Sequence, residues 1–296
     1  MKIETPTWMN QGAGQPPDLL FSFRAEAGIT GFDSMREAED YVVADEIGTL
    51  YRLDPLLNVK LLTRLQEPAR QLSWSDTGEF GSALLGNSTL VRLDAKLKVI
   101  WTIEIPFTCS AIAIDPYGIF TFVASSEGGA IVIDDLGKKA ATFETMRPLS
   151  YIHFMVEEPV VIAAASHGLM GAYSLNGKKI WEKTLWSNVG DLALIQKTAR
   201  ICVAASNQGI QVYDGSGDSE ASLILEGTVN KISVSYTGKQ AFASTIEKHI
   251  YRLDEDGELK WAATSDVAVT RVDSHPIEPV GLFVFEDRTI LRSQWY

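Results

Sequence analysis

A unit of about forty residues repeats seven times along this chain of 296 residues, and that period restricts the fold more than any other feature. Its marker is a short β-rich segment that ends in an acidic or amide residue. The copies are Leu50–Asp54, Leu90–Asp94, Ala130–Asp134, Ala172–Asn176, Ile210–Asp214, Ile250–Asp254 and Ile290–Gln294, whose last positions lie 40, 40, 42, 38, 40 and 40 apart. A fixed period of this length is the signature of stacked supersecondary units, each too small to bury its own apolar face.

Three further strands keep the same beat. One is marked by Ala44, Leu84, Ala124, Ala164, Ala204, Ser244 and Val284. Ahead of it comes an apolar segment such as Gln71–Trp74, Ala111–Ile114 or Ile232–Val234, and after the acidic turn comes Val99–Ile103 or Lys179–Lys183. Strands of five to seven residues punctuated by Gly, Asp and Asn fill the unit, and no stretch holds a helical period. Four-stranded units in this number predict an all-β, seven-bladed β-propeller of antiparallel blades. The Ala- and Ser-rich strand suits the crowded zone where blades converge. Trp101, Trp181 and Trp261 suit the zone where blades splay apart, so these rings are expected to be core spacers.

The seventh unit ends at Tyr296, directly after its third strand. The missing strand is expected from the other end, in Leu19–Arg24, preceded by Asp18 as its counterparts are preceded by Asp94 or Asp254. Residues 18–25 would then close the last blade and with it the ring, removing two exposed strand edges. The expected organisation is a lead-in, 1–17, and one propeller domain, 18–296. Gly12, Gly14, Pro16 and Pro17 make the lead-in read as loosely held, so that deleting 1–15 should be mild.

The formal charge of −12 and pI near 4.8 exclude a general affinity for nucleic acid and disfavour docking on anionic lipid. No apolar run approaches a membrane span, and no apolar segment behind Lys2 reads as a leader, so a cytoplasmic monomer is expected. Cys109 and Cys202 lie far apart, outside any zinc-ligand spacing, and read as buried free thiols.

Two families are similar in their repeat units. Leu253–Trp261 resembles the tryptophan repeats of quinoprotein-alcohol-dehydrogenase-like propellers (the PQQ-like repeat), and Leu72–Gly78 resembles the strand-and-turn element of WD-repeat propellers. The resemblance spans residues 18–296 and implies the fold. The Trp-Asp dipeptide and the Gly-His pair of the WD family are absent. The adjacent-cysteine disulfide, calcium cluster and eight blades of the quinoprotein enzymes are not matched either, so no catalytic residue carries over.

Neither HExxH nor HxH spacing arises among His153, His167, His249 and His275, and there is no GxSxG elbow, Walker loop or helix-opening GxGxxG. His153 alternates into an inner strand and reads as a core histidine. Asp254–Glu258 looks like part of a calcium loop but lacks the remaining ligands, and Asp and Gly serve the turn there. No cofactor and no metal are expected. The enzymatic alternative is a hydrolase or oxidoreductase acting on a small molecule, with Glu127, Glu247 and Asp287 converging on the channel.

The leading expectation is a non-enzymatic scaffold that binds a protein or peptide through its top face. The loops between blades and those between second and third strands should share that face. Sampled every forty residues, the between-blade loop gives Glu26, Gln66, Pro106, Met146, Trp186, Glu226 and Asp266. Phe107, Met146 and Trp186 form an apolar arc with Arg147 beside them, opposite an acidic arc, and Trp and Arg are the natural anchors of an interface. The other loop supplies Glu127, His167 and Asn207 for polar contacts. The competing reading tucks the three apolar side chains between blades.

Overall fold

The computed structural model describes residues 5–296. Each of the first six forty-residue units folds into an antiparallel sheet of four strands in sequential order, the seventh unit supplies three strands of a seventh sheet, and these sheets are the blades of an all-β propeller. Blades 1 to 6 span residues 29–64, 69–104, 109–143, 151–184, 189–223 and 229–264, and blade 7 spans 269–294. Blade 7 is completed as the sequence predicts. Asp18–Arg24 pairs antiparallel with Thr289–Gln294, setting Asp18 opposite Gln294 and Ser22 opposite Leu291.

Contacts divide the chain into two compact units. Residues 25–184 carry blades 1–4, and residues 185–296 with those before 25 carry blades 5–7.

In the unit of blades 1–4 the burial gradient follows strand position. Asp40–Asp45, the second strand of blade 1, is buried throughout, whereas the fourth, Val59–Arg64, is almost wholly exposed. A second strand has hydrogen-bonded neighbours on both edges and blades against both faces, and a fourth strand has neither in full. Apolar clusters therefore form between consecutive blades. Between blades 3 and 4, Phe122 packs 5.2 Å from Phe143, which meets the edge of the Tyr173 ring at 5.8 Å.

Side chains of the first strands stitch one blade to the next. Thr30 Oγ1 donates to Ala69 O at 2.6 Å, Arg70 Nη2 to Cys109 O at 2.5 Å and Ser110 Oγ to Leu149 O at 2.7 Å, each thirty-nine residues on. Asp33 Oδ2 accepts from Trp74 N at 2.6 Å and Ser73 Oγ from Ile114 N at 3.0 Å, each forty-one residues on. A further clamp comes from the third strands. Arg52 Nη1 donates to Gly78 O at 3.0 Å and Ala95 O at 2.7 Å, and the buried Arg92 repeats the contact with Gly118 O beneath the Phe80 ring.

The unit of blades 5–7 is built on the same rules, with Ser274 N donating to Ser233 Oγ at 2.9 Å between first strands. It holds one feature that departs from the sequence reading. Residues 7–14 are packed rather than loose. Thr7–Asn10 forms a helical turn, Ala13–Gly14 adds a fifth strand to blade 6 opposite Ala262 and Trp261, and both Trp8 and Met9 are buried. The Trp8 ring lies 6.4 Å from Trp261 and 6.0 Å from Phe285, inside the cluster that also holds Phe283 and Trp295. The glycines explain the fit. A Cβ on Gly12 would stand 2.3 Å from Ala262 O, and Gly14, at φ +87°, would place one 2.2 Å from Lys260 O. Glycine here permits close backbone approach instead of slack.

Candidate functional site

The repeating acidic residues are turn brackets. Asp134 Oδ1 accepts from the backbone of Leu136 at 3.0 Å and Lys138 at 2.7 Å, and Asp54, Asp94, Asp214 and Asp254 do the same at their own turns. The carboxylates proposed for the channel are also engaged locally. Glu247 Oε2 accepts from Thr228 N at 2.8 Å and Asp287 Oδ1 from Thr289 N at 3.1 Å. Glu127 is exposed on its turn. Among the described residues, no group of three or more His, Cys, Asp or Glu side chains is disposed to hold a metal ion. Both cysteines are free and buried; burial pushes the Cys109 thiol up to about 11, eased by Arg70, and the Cys202 thiol up to about 12. Such thiols are poor nucleophiles at neutral pH.

In blades 1, 3, 5, 6 and 7 a backbone hydrogen bond ties the loop before the first strand to the turn between second and third strands. Ser126 N donates to Thr108 O at 2.8 Å in blade 3, Ser206 N to Asn188 O at 3.0 Å in blade 5 and Ile246 N to Thr228 O at 3.1 Å in blade 6. The two loop sets therefore lie at one end of each blade, and the predicted site residues are brought together blade by blade.

In blade 3 this puts Phe107 and Glu127 on neighbouring loops, but their side chains fare differently. Glu127 is exposed, whereas Phe107 is half-buried against the apolar cluster of Leu84, Ile105 and Ile112. In blade 4, Ser166 Oγ donates to Ser150 Oγ at 2.9 Å, holding the His167 turn against the loop of Met146 and Arg147, and all three side chains are exposed. Met146 is 75% exposed. Thr145 Oγ1 fixes that loop by donating to Arg147 O at 2.9 Å and accepting from Gly129 N at 2.7 Å.

Blade 5 carries the most unusual surface. Trp186 is 96% exposed, and Asn207 N reaches Ser187 Oγ beside it at 3.5 Å. Asn207 also lines a groove of about 650 Å³ with Gln208, Gln211, Ser222, Ile224 and Thr228. Ile224, 87% exposed, stands at this groove and at a second one of about 740 Å³, lined by Gly12, Leu223, Tyr251, Leu259 and Ala262 among others. The fourth strand between them, Ser219–Leu223, has an open edge. Ile224 was not singled out from the sequence. Its signal was the run Leu223-Ile224-Leu225, three apolar residues where a strand end can turn only alternate side chains inward.

Among the described residues no helix is long and apolar enough to cross a membrane. No family model matches the chain, and no curated protein matches its sequence. A search of solved structures finds similarity to the β-propeller domain of Cps50 (Swd1) from Myceliophteria thermophila, with a TM-score of 0.82 at 14% identity, covering 95% of this chain and 100% of that one. At that identity the likeness speaks to architecture alone. The chain has the seven-bladed β-propeller fold.

Proposed function

We propose that this propeller is a non-enzymatic scaffold that takes a protein or peptide partner at the loop end of its blades, with Trp186 as the principal anchor. The observation that carries the reading is a Trp left almost wholly in water next to Ser187, which is bonded by Asn207 of a polar groove, with a second exposed apolar residue, Ile224, lining that groove. An exposed indole contributes little to folding, while covering it with a partner is worth roughly 1.5–3 kcal/mol. Trp and Arg also dominate measured interface energies. Asn207 supplies a polar partner for a bound backbone in the same unit, and within the unit of blades 1–4 Met146, Arg147 and His167, with Glu127, offer a contact of the same kind by themselves. Glu226, lining the larger groove, and the net charge of −12 favour a partner with a basic flank. Phe107 remains with the packing. The scaffold would act in the cytoplasm as a monomer.

The test is comparative capture of the native partner by the intact protein, W186A, I224A and, as a control, L136A, whose leucine is exposed on a turn outside these loops. W186A should reduce partner affinity at least about tenfold, with an unchanged melting temperature, and L136A should capture normally. Equal capture by the intact protein and a folded W186A/I224A double variant would refute the reading.

A further inference from the structure

In a propeller the first strand of each blade lies nearest the axis. The first strands of blades 5, 6 and 7 are Val189–Ile195, Val229–Val234 and Val269–Ser274, and each bulges at its second residue, Gly190, Asn230 or Thr270. The residue after each bulge is charged: Asp191, Lys231 and Arg271, forty apart. The bulge fixes where that side chain points. The strands are also in close contact, since a Cβ on Gly190 would lie 2.7 Å from Asn230 Cα. Three charges therefore share one row on neighbouring strands.

The three are not equally engaged. Asp191 accepts from Leu192 N at 3.0 Å and Ile232 N at 3.3 Å, copying the way Asp33 takes Ser34 N at 2.9 Å and Trp74 N at 2.6 Å in the other unit. Its carboxylate is a stitch between blades, and it neutralises one positive charge of the two beside it. Among the described residues the Lys231 side chain has no hydrogen bond or ion pair, and that of Arg271 has a single bond, from Nη1 to Thr270 O at 2.9 Å. Asn230 Oδ1 accepts from Ser244 Oγ at 3.4 Å, which leaves its NH2 as an unused donor. Burial strips water from the Lys231 ammonium and lowers its pKa, Asp191 opposes this and the Arg271 charge adds to it. Two neighbouring cations with spare donors, in a chain of net charge −12, form a local inversion of the protein's own field.

We propose that Lys231, Arg271 and the Asn230 amide form a site for a small oxyanion, a phosphate or carboxylate group carried by a small molecule. The guanidinium offers the planar fork that grips two oxygens at once, and the ammonium supplies a point charge beside it. The anion would neutralise the charge that Asp191 leaves over. This site is independent of the Trp186 surface, so W186A should bind the anion as the intact protein does.

The experiment is calorimetric titration and thermal melting of the full chain with inorganic phosphate and, separately, acetate, at constant ionic strength. Saturable binding of at least one anion at one site per chain is expected, together with a rise in melting temperature. K231Q and R271Q should each weaken it about tenfold or more, K231R should retain it, and K197Q, changed on a remote 3₁₀ turn, should leave it intact. Because burial lowers the Lys231 pKa and no side-chain hydrogen bond or ion pair holds its ammonium, K231Q should fold and melt no lower than the intact protein without anion. Phosphate bound in preference to acetate identifies a phosphate ligand, acetate bound in preference to phosphate a carboxylate, and equal binding supports an oxyanion site that accepts either. No binding of either anion up to about 10 mM, or undiminished binding in folded K231Q and R271Q, overturns the proposal.

Discussion

Asp254 shows how much a single position in the repeat reveals and how. Its place at the end of a β-run, followed by Asp256 and Gly257, reads as a turn because both residue types serve the backbone there, and the structure finds its carboxylate bracketing that turn. The hydrogen bond from Lys260 Nζ, opposed by burial and reinforced by the backbone donors and the Lys260 charge, holds the Asp254 carboxyl below its ordinary value of 3.8. A carboxyl lowered in the folded state stabilises the fold above its unfolded pKa and loses that contribution as pH falls through the folded value. D254N should therefore melt below the intact protein at pH 7, and the gap should close as pH falls below 3.8, measured by thermal scans across the acid range. A gap constant with pH would show that the side chain acts by shape alone. Trp8 and Ile224 were less legible. Neither recurs at the forty-residue beat, so no register says which way they face, and one proved buried and the other bare.

At the level of elements, alternation and period identified the strands because every blade solves the same packing problem. The inner-strand stitches were visible as polar residues such as Thr30, Ser73, Ser110 and Ser233 inside otherwise apolar segments, although only coordinates reveal the donor-to-neighbour offsets of thirty-nine and forty-one residues. The lead-in was misread for a physical reason. Gly12 and Gly14 look like slack in a sequence, yet in the fold they let the backbone pass within van der Waals range of blade 6. Thr7–Gly14 thus acts as a latch whose Trp8 fills a socket of Trp261, Phe285 and Val269. W8A should cost about 3 kcal/mol, measured by denaturant unfolding, and removal of residues 1–15 at least as much. A loss under about 0.5 kcal/mol for either would mean that the latch is not seated. The candidate site divides differently: sampling one loop register picks out Met146 and Trp186, both exposed, while Phe107 and Arg147 each follow that register by one residue, and of these Arg147 is exposed and Phe107 half-buried against an apolar cluster.

Across the whole chain, function was less legible than fold because the period constrains packing, and packing is the same whatever the loops bind. Seven repeats give seven sheets, but the seventh contains only three strands of its own, Val269–Ser274, Val280–Phe285 and Thr289–Gln294. Its fourth comes from Asp18–Arg24, more than 260 residues earlier in a chain of 296. Without it Thr289–Gln294 would present an unpaired edge, the template for aggregation that closed β-architectures avoid. The most direct measurement compares the intact protein with a chain lacking residues 1–24, with and without a synthetic peptide of residues 5–24. The truncated chain should melt at a clearly lower temperature and associate into oligomers, and the peptide should bind it and restore both melting temperature and monomer. A truncated chain that stays monomeric and melts with the intact protein would contradict closure of the last blade by the N-terminal strand.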